Sequence, residues 1–194
     1  MKQTRPICLA SASPRRRELL ERFGLEFVVH PVHVDEREQP GEQAGEMVAR
    51  LAALKAEMAR HRFGGHLILA GDTAVVVEGA TLGKPRNAAE AKQMIARLAG
   101  RTHRVFSAYH LLEAPTGQVC HGICQTEVTF RPLSAQWIDW YGALVEPQDK
   151  AGAYAIQGLG GAMVEKIEGS YNTVLGLPIE VIWWKLLENR WVTL

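Results

Sequence analysis

The stretch "HLILAGDTAVVVEGATLGKP", residues 66–85, decides the fold. Its apolar residues run on without period-2 alternation, which reads as a strand buried on both faces. Gly71 and Asp72 interrupt the run, so the strand is expected to break there, resume, and turn at Glu78-Gly79. In α/β sheets an acid at such a point faces the crevice outside the strand ends, where ligands bind. That makes Asp72 the first catalytic candidate. A Gly-Asp-Thr tripeptide also makes turns, with the acid capping its own backbone, and taken alone the stretch favours that role.

Upstream, "ICLA" (residues 7–10) reads as a short buried strand and "PRRRELLERFG" (14–24) as a helix. Ser13 is placed to cap that helix, Pro14 takes its first position and Gly24 closes it. Arg15, Arg16 and Arg17 then crowd the positive end of the helix dipole, each opposing it by about 0.3–1 kcal/mol. An anion would offset that cost. Ser11, Ser13, the helix amides and the guanidinium forks together suit a phosphate. A solvated basic helix end, with Glu18 and Glu21 as local partners, accounts for the same residues. "EFVVHPVHVDE" (26–36) is expected to be a strand ending at Asp35 and Glu36. Beyond it Met47, Leu51, Leu54 and Met58 fall at i, i+4, i+7 and i+11, the buried face of a helix ending at Gly64-Gly65. Two carboxylates at a phosphate site are what Mg²⁺ requires, and Glu36 joins Asp72 as the second. Lys55 and Lys84 are candidate phosphate cations, although Lys55 fits equally an ordinary solvated helix residue. "GKP" around Lys84 completes no phosphate-binding loop signature.

Downstream, "NAAEAKQMIARLAG" (87–100) is a helix capped by Asn87 and stopped by Gly100. Residues 103–130 read as two long strands joined at "APTG". "SAQWIDWYGAL" gives a helix behind Ser134, and "GLPIEVIWWKLLEN" the last one. Strands alternate with helices and no repeat or linker divides the chain, which predicts one α/β domain over residues 1–194 with a mixed sheet.

Composition narrows the function. Of 194 residues 47% are hydrophobic, enough for one good core. Lys and Arg total 22 against 21 Asp and Glu, a net charge of +1 that gives no broad field for a nucleic-acid backbone. No apolar run reaches the roughly 18 residues of a membrane span, and the start lacks a signal peptide's apolar core, so a cytoplasmic protein with no membrane partner is expected. Cys8, Cys120 and Cys124 fit reduced thiols. Along a strand Cys120 and Cys124 would stand roughly 13 Å apart, too far to share a zinc ion. His61 and His66 read as surface or loop residues.

Late in the chain Gly158, Gly160 and Gly161 allow close backbone approach or positive φ beside Gln157, whose amide suits a base edge. A glycine-rich surface loop is the plainer reading. The ordered series "LASASPRRRELL", "VDE", "GDTAVVVEGATLGKP" and "DKAGAYAIQGLGGAMVEKIEGSYNTVLGLP", over nearly the whole chain, resembles the Maf family of nucleoside triphosphate pyrophosphatases. The resemblance implies an elongated mixed sheet with flanking helices, in two lobes around a nucleotide cleft, similar to inosine triphosphate pyrophosphatase. It implies hydrolysis of a nucleoside triphosphate to monophosphate and pyrophosphate with a divalent metal cation, Mg²⁺ or Mn²⁺. Asp72 matches the family's catalytic acid, and Glu36, Lys55 and Lys84 match residues serving metal and phosphates.

Three positions sort substrates within the family. Arg15 stands where the branch acting on 7-methyl-GTP tends to have Trp, Thr73 where it has Gln, and Gln157 where it has Glu. All three imply the dTTP/UTP branch, and "SAS" for the common "SGS" is a small departure. In the mechanism so implied, water attacks the α-phosphorus, with Asp72 as its base or as metal ligand. Arg16, Lys55 and Lys84 balance the leaving pyrophosphate, Ser11 and Ser13 fix the triphosphate, Arg15 faces the base and Arg17 solvent or a partner. Trp183, Trp184 and Trp191 read as core or the surface of a homodimer. Against this stand a 7-methyl-GTP-type enzyme, a nucleotide-binding regulator of cell division that does not hydrolyse, and a nucleic-acid-binding regulator, the last opposed by the near-neutral charge.

Overall fold

In the computed structural model, which describes residues 1–194, the chain runs through β1 (Lys2–Gln3), β2 (Ile7–Leu9), α1 (Pro14–Arg22), β3 (Phe27–Val29) and α2 (Ala44–Arg60). β4 (Leu67–Val77), β5 (Ala80–Leu82), α3 (Ala88–Leu98) and the long hairpin of β6 (Thr102–Glu113) and β7 (Gln118–Phe130) follow. After α4 (Ala135–Gly142) come short 3₁₀ turns at Ala151–Ala153 and Leu159–Met163, then β8 (Val164–Glu168), α5 (Tyr171–Leu175), α6 (Ile179–Glu188) and β9 (Val192–Thr193). One sheet holds seven strands in the order β3-β2-β4-β6-β7-β8, with β5 paired to β4. β2 runs parallel to β3 and β4, whereas β4–β5 and β7–β8 are antiparallel, so the sheet is mixed as expected. The termini pair separately, Lys2 opposite Thr193 and Gln3 opposite Val192.

Two compact units are distinguished. The first comprises residues 1–72, 107–124 and 176–194, the second residues 73–106 and 125–175. β4 passes from one to the other between Asp72 and Thr73. In the first unit α2 lays Ala56 and Ala59 on Cys8, Ile68, Ala70 and Leu112, a small-residue contact that brings helix and sheet close. In the second, Asn87 caps α3 by accepting from Glu90 N at 2.9 Å, and Lys92 of α3 pairs with Asp139 of α4 at 2.8 Å. His103, Phe130 and Tyr154 stack edge to face in its core.

Four sequence expectations need correction. β4 does not break at Gly71-Asp72: it is one strand of eleven residues, hydrogen-bonded between β2 and β6, and Gly71 lets it pass so near its neighbour that a Cβ would lie 2.9 Å from Ala108 O. The expected turn at Glu78-Gly79 does form, with φ of 50° and 77°, the left-handed pair a two-residue hairpin prefers. β3 stops at Val29, and Pro31, which lacks an N–H, leads the chain through residues 30–43 without regular structure, so Glu36 lies on a loop. The buried face of α2 is Met47, Val48, Leu51, Ala52, Lys55, Ala56 and Ala59, while Leu54 and Met58 are 43% and 50% exposed. Finally, Ser13 stands at the N-cap of α1 in extended conformation but makes no side-chain capping bond. Helices α3, α4 and α6 and the β6–β7 hairpin fall where the sequence puts them, the short α5 was not expected, and Gly24 and Gly100 follow α1 and α3 with φ of +67°. Cys8 is buried, Cys120 and Cys124 are half-buried, and all three are free. No helix is long and apolar enough to cross a membrane.

Candidate active site

Asp72 sits inside β4, 9% exposed, at the point where the strand leaves the first unit. Its Oδ1 accepts from Lys55 Nζ at 2.6 Å, and the same ammonium donates to Glu36 Oε1, also at 2.6 Å. Lys55 is only 6% exposed because its place on α2 belongs to the alanine face that packs on the sheet. A buried ammonium needs carboxylate partners to offset its desolvation, and here it has two. The solvated alternative for Lys55 therefore falls. Glu36 keeps about half its side chain exposed, so the cluster opens to water on the loop side.

Arg16 holds the backbone beneath this cluster. It is buried, its Nε donates to Gly176 O at 2.8 Å, and one terminal nitrogen donates to Gly71 O at 2.7 Å and Ser11 Oγ at 3.2 Å. The carbonyl of Gly71 adjoins Asp72, so Arg16 fixes the strand where it presents the carboxylate. Burial lowers the Arg16 pKa and the charge of Arg15 adds to this, while the fields of Asp72 and Glu36 oppose it. An arginine nonetheless remains a cation at neutral pH. Ser11, buried, also accepts from Ser13 N at 3.2 Å and so shapes the turn into α1. Arg17, by contrast, pairs with Glu21 at 2.8 Å on the solvent side of its helix.

Ser11, Arg16, Glu36, Lys55 and Asp72 thus form one connected group in the first unit. Arg15 is half-buried beside Arg16, and Thr73 follows Asp72 along β4, half-buried. Lys84 and Gln157 belong to the second unit. Lys84 is exposed on the loop between β5 and α3, and Gln157 is exposed between the two 3₁₀ turns. Gly158, Gly160 and Gly161 all have ordinary negative-φ or extended backbone, since none is among the positive-φ glycines. Close approach is what they provide: a Cβ on Gly160 would lie 2.6 Å from Tyr141 Oη and one on Gly161 2.5 Å from Ile156 O. Sequence reasoning missed the residues that press on this loop, Tyr141 and Glu146. The one available signal was glycine recurring where no turn demanded it.

Asp72 and Glu36 are the two carboxylates that could hold a divalent metal, a pair and not a cluster of three or more ligating side chains. Both offer the hard oxygens such an ion takes, and both accept from the Lys55 ammonium, which the ion would have to share or displace.

The chain is 45% identical over 173 residues to a dTTP/UTP pyrophosphatase of Symbiobacterium thermophilum, covering 89% of this chain and 88% of the relative. It is 44% identical over 176 residues to a dTTP/UTP pyrophosphatase of Pyrococcus horikoshii, covering 91% and 92%, and 42% over 179 residues to one of Syntrophus aciditrophicus, covering 92% and 87%. In fold it is similar to the Ham1 protein of Staphylococcus aureus, with a TM-score of 0.53 at 15% identity over 95% of this chain and 99% of that one. The family pattern described as "Maf-like protein" matches residues 6–189, and the chain belongs to that family.

Proposed function

We propose that this protein hydrolyses dTTP and UTP to the monophosphate and pyrophosphate, clearing the nucleotide pool. The reading is carried by relatives of that name, 42–46% identical over 89–92% of the chain. The connected Ser11–Arg16–Glu36–Lys55–Asp72 group supports it, because it gathers the acids and cations such a reaction needs.

Asp72 is the base, its carboxylate taking the proton of the attacking water. Lys55 holds Asp72 and Glu36 together and, with Lys84, balances negative charge on the phosphates. Arg16 fixes the Gly71 carbonyl and adds positive potential, while Ser11 and Ser13 form the turn that aims the α1 N-terminus at the triphosphate. Mg²⁺ or Mn²⁺ held by Asp72 and Glu36 would supply Lewis-acid polarisation of the phosphates. Recognition of the base is assigned to Arg15, Thr73 and Gln157. A uracil or thymine edge offers a carbonyl, an N–H and a carbonyl, which an amide can both donate to and accept from. The cytoplasm is the matching compartment, and the triphosphate the sole partner this reading needs.

Pyrophosphate release measured across the natural and common modified triphosphates tests this. dTTP and UTP are expected to turn over fastest. Preference for 7-methyl-GTP would move the chain to the other branch, and no release from any nucleotide would make it a binding protein.

A further inference from the structure

Glu146 lies between α4 and the first 3₁₀ turn, outside the group described above, yet its half-buried carboxylate is fully engaged. Oε1 accepts from Tyr141 Oη at 2.7 Å and from Gly160 N at 3.0 Å, and Oε2 accepts from Leu159 N at 3.2 Å. Tyr141, fully buried, accepts in turn from Ala155 N at 3.2 Å. One Tyr–Glu pair therefore grips the chain at residue 155 and again at 159–160. Gln157 stands midway along the held span, with its side chain exposed.

The glycines make the grip possible. A Cβ on Gly158 would run into the Glu146 carboxylate, and one on Gly160 would meet Tyr141 Oη at 2.6 Å. Burial pushes the Glu146 carboxyl up, but the bonds from Tyr141, Gly160 and Leu159 outweigh it and hold the group below the ordinary carboxylate range. The grip is therefore charged at neutral pH.

An amide at the end of a long side chain does not by itself choose a base. Presented one way it matches a uracil edge, and rotated by half a turn it matches cytosine. Selectivity requires that the amide be delivered at one place with little freedom left to lose on binding. We propose that Glu146, acting with Tyr141, is a positioning residue that sets Gln157 against the base edge and so determines pyrimidine selectivity. This rests on the reading in which Gln157 meets the base.

The test compares kcat/KM for UTP and CTP in the full-length protein, in Gln157→Ala, in Glu146→Gln and in the double variant. Gln157→Ala should lower the UTP-to-CTP ratio about tenfold, the effect of one buried hydrogen bond. Glu146→Gln puts an NH₂ where Leu159 N needs an acceptor and should lower the ratio similarly. The double variant should go no lower, because the two residues act through one contact. Amide exchange at Leu159 and Gly160 should quicken in Glu146→Gln. Tyr141→Phe, which keeps the buried ring, should move the ratio in the same direction and decides the matter if Glu146→Gln fails to fold. Equal losses for UTP and CTP in Glu146→Gln and Tyr141→Phe, with a lowered ratio in Gln157→Ala, would overturn the positioning role alone. An unchanged ratio in Gln157→Ala would overturn the base-reading role of Gln157 and the proposal with it.

Discussion

Asp72→Asn keeps the shape of the side chain and one oxygen for Lys55 but removes the charge and the basicity. Turnover of UTP should fall by roughly 10²–10⁴ with the fold intact, and wild-type turnover in a folded variant would remove Asp72 from the chemistry. Lys55→Met leaves two carboxylates facing each other, one of them Asp72 at 9% exposure, without the ammonium between them. Breaking a buried pair from one side costs about 3–5 kcal/mol, and the half-exposed Glu36 sets the expectation at the lower end. Urea unfolding at neutral pH measures it. Asp72 could be singled out in the sequence as an acid interrupting an apolar run, although that reading broke the strand there and, taken alone, favoured a turn cap. The burial of Lys55 was not legible, since its neighbours on α2 are alanines, which favour no face of a helix over another. Glu146 gave no local sign at all, being fourteen residues from Gly160, the glycine whose amide it holds.

At the scale of elements, the apolar stripe of α2 and its packing disagree in phase. Met47 and Leu51 are buried, but Leu54 and Met58 are not, because the sheet receives the small face of Ala52, Ala56 and Ala59. Leu51→Ala should therefore cost about 2–5 kcal/mol, and Leu54→Ala, on the same predicted stripe, no more than about 0.5 kcal/mol. Paired thermal melts separate the two, and equal losses would restore the stripe read from sequence. Caps and turns were legible: Ser134 and Asn87 accept from the amides three residues on, as their positions before apolar runs required. The continuity of β4 was not, since Gly-Asp-Thr carries turn chemistry, yet the strand runs on beside β6 through the gap between its pairing with β2, which ends at Leu69, and with β5, which begins at Val75. Glu36 shows the reverse case, a residue given to a strand that Pro31 and the short β3 leave on a loop.

For the whole molecule, a net charge of +1 leaves stability to particular groups rather than to a global field. His103 is one of them. It is 1% exposed, its Nε2 lies 2.9 Å from Tyr154 Oη, and burial lowers its pKa from 6.5 to about 4. The folded protein therefore keeps it neutral, whereas the unfolded chain takes up a proton below pH 6.5. Stability from this group is complete above pH 6.5 and is lost as the pH falls toward 4, up to about 3 kcal/mol in all. His110, also lowered by burial, acts in the same direction, so the comparison is made with a variant. Melting temperatures between pH 7.5 and 5 should drop less steeply in His103→Gln than in the wild type, and equal slopes would contradict the assignment. The chemistry itself is tested by hydrolysing UTP with Mg²⁺ in oxygen-labelled water and locating the label in the products. Labelled UMP with unlabelled pyrophosphate is the result expected for attack at the α-phosphorus. UDP and orthophosphate, or label in the pyrophosphate, would contradict it.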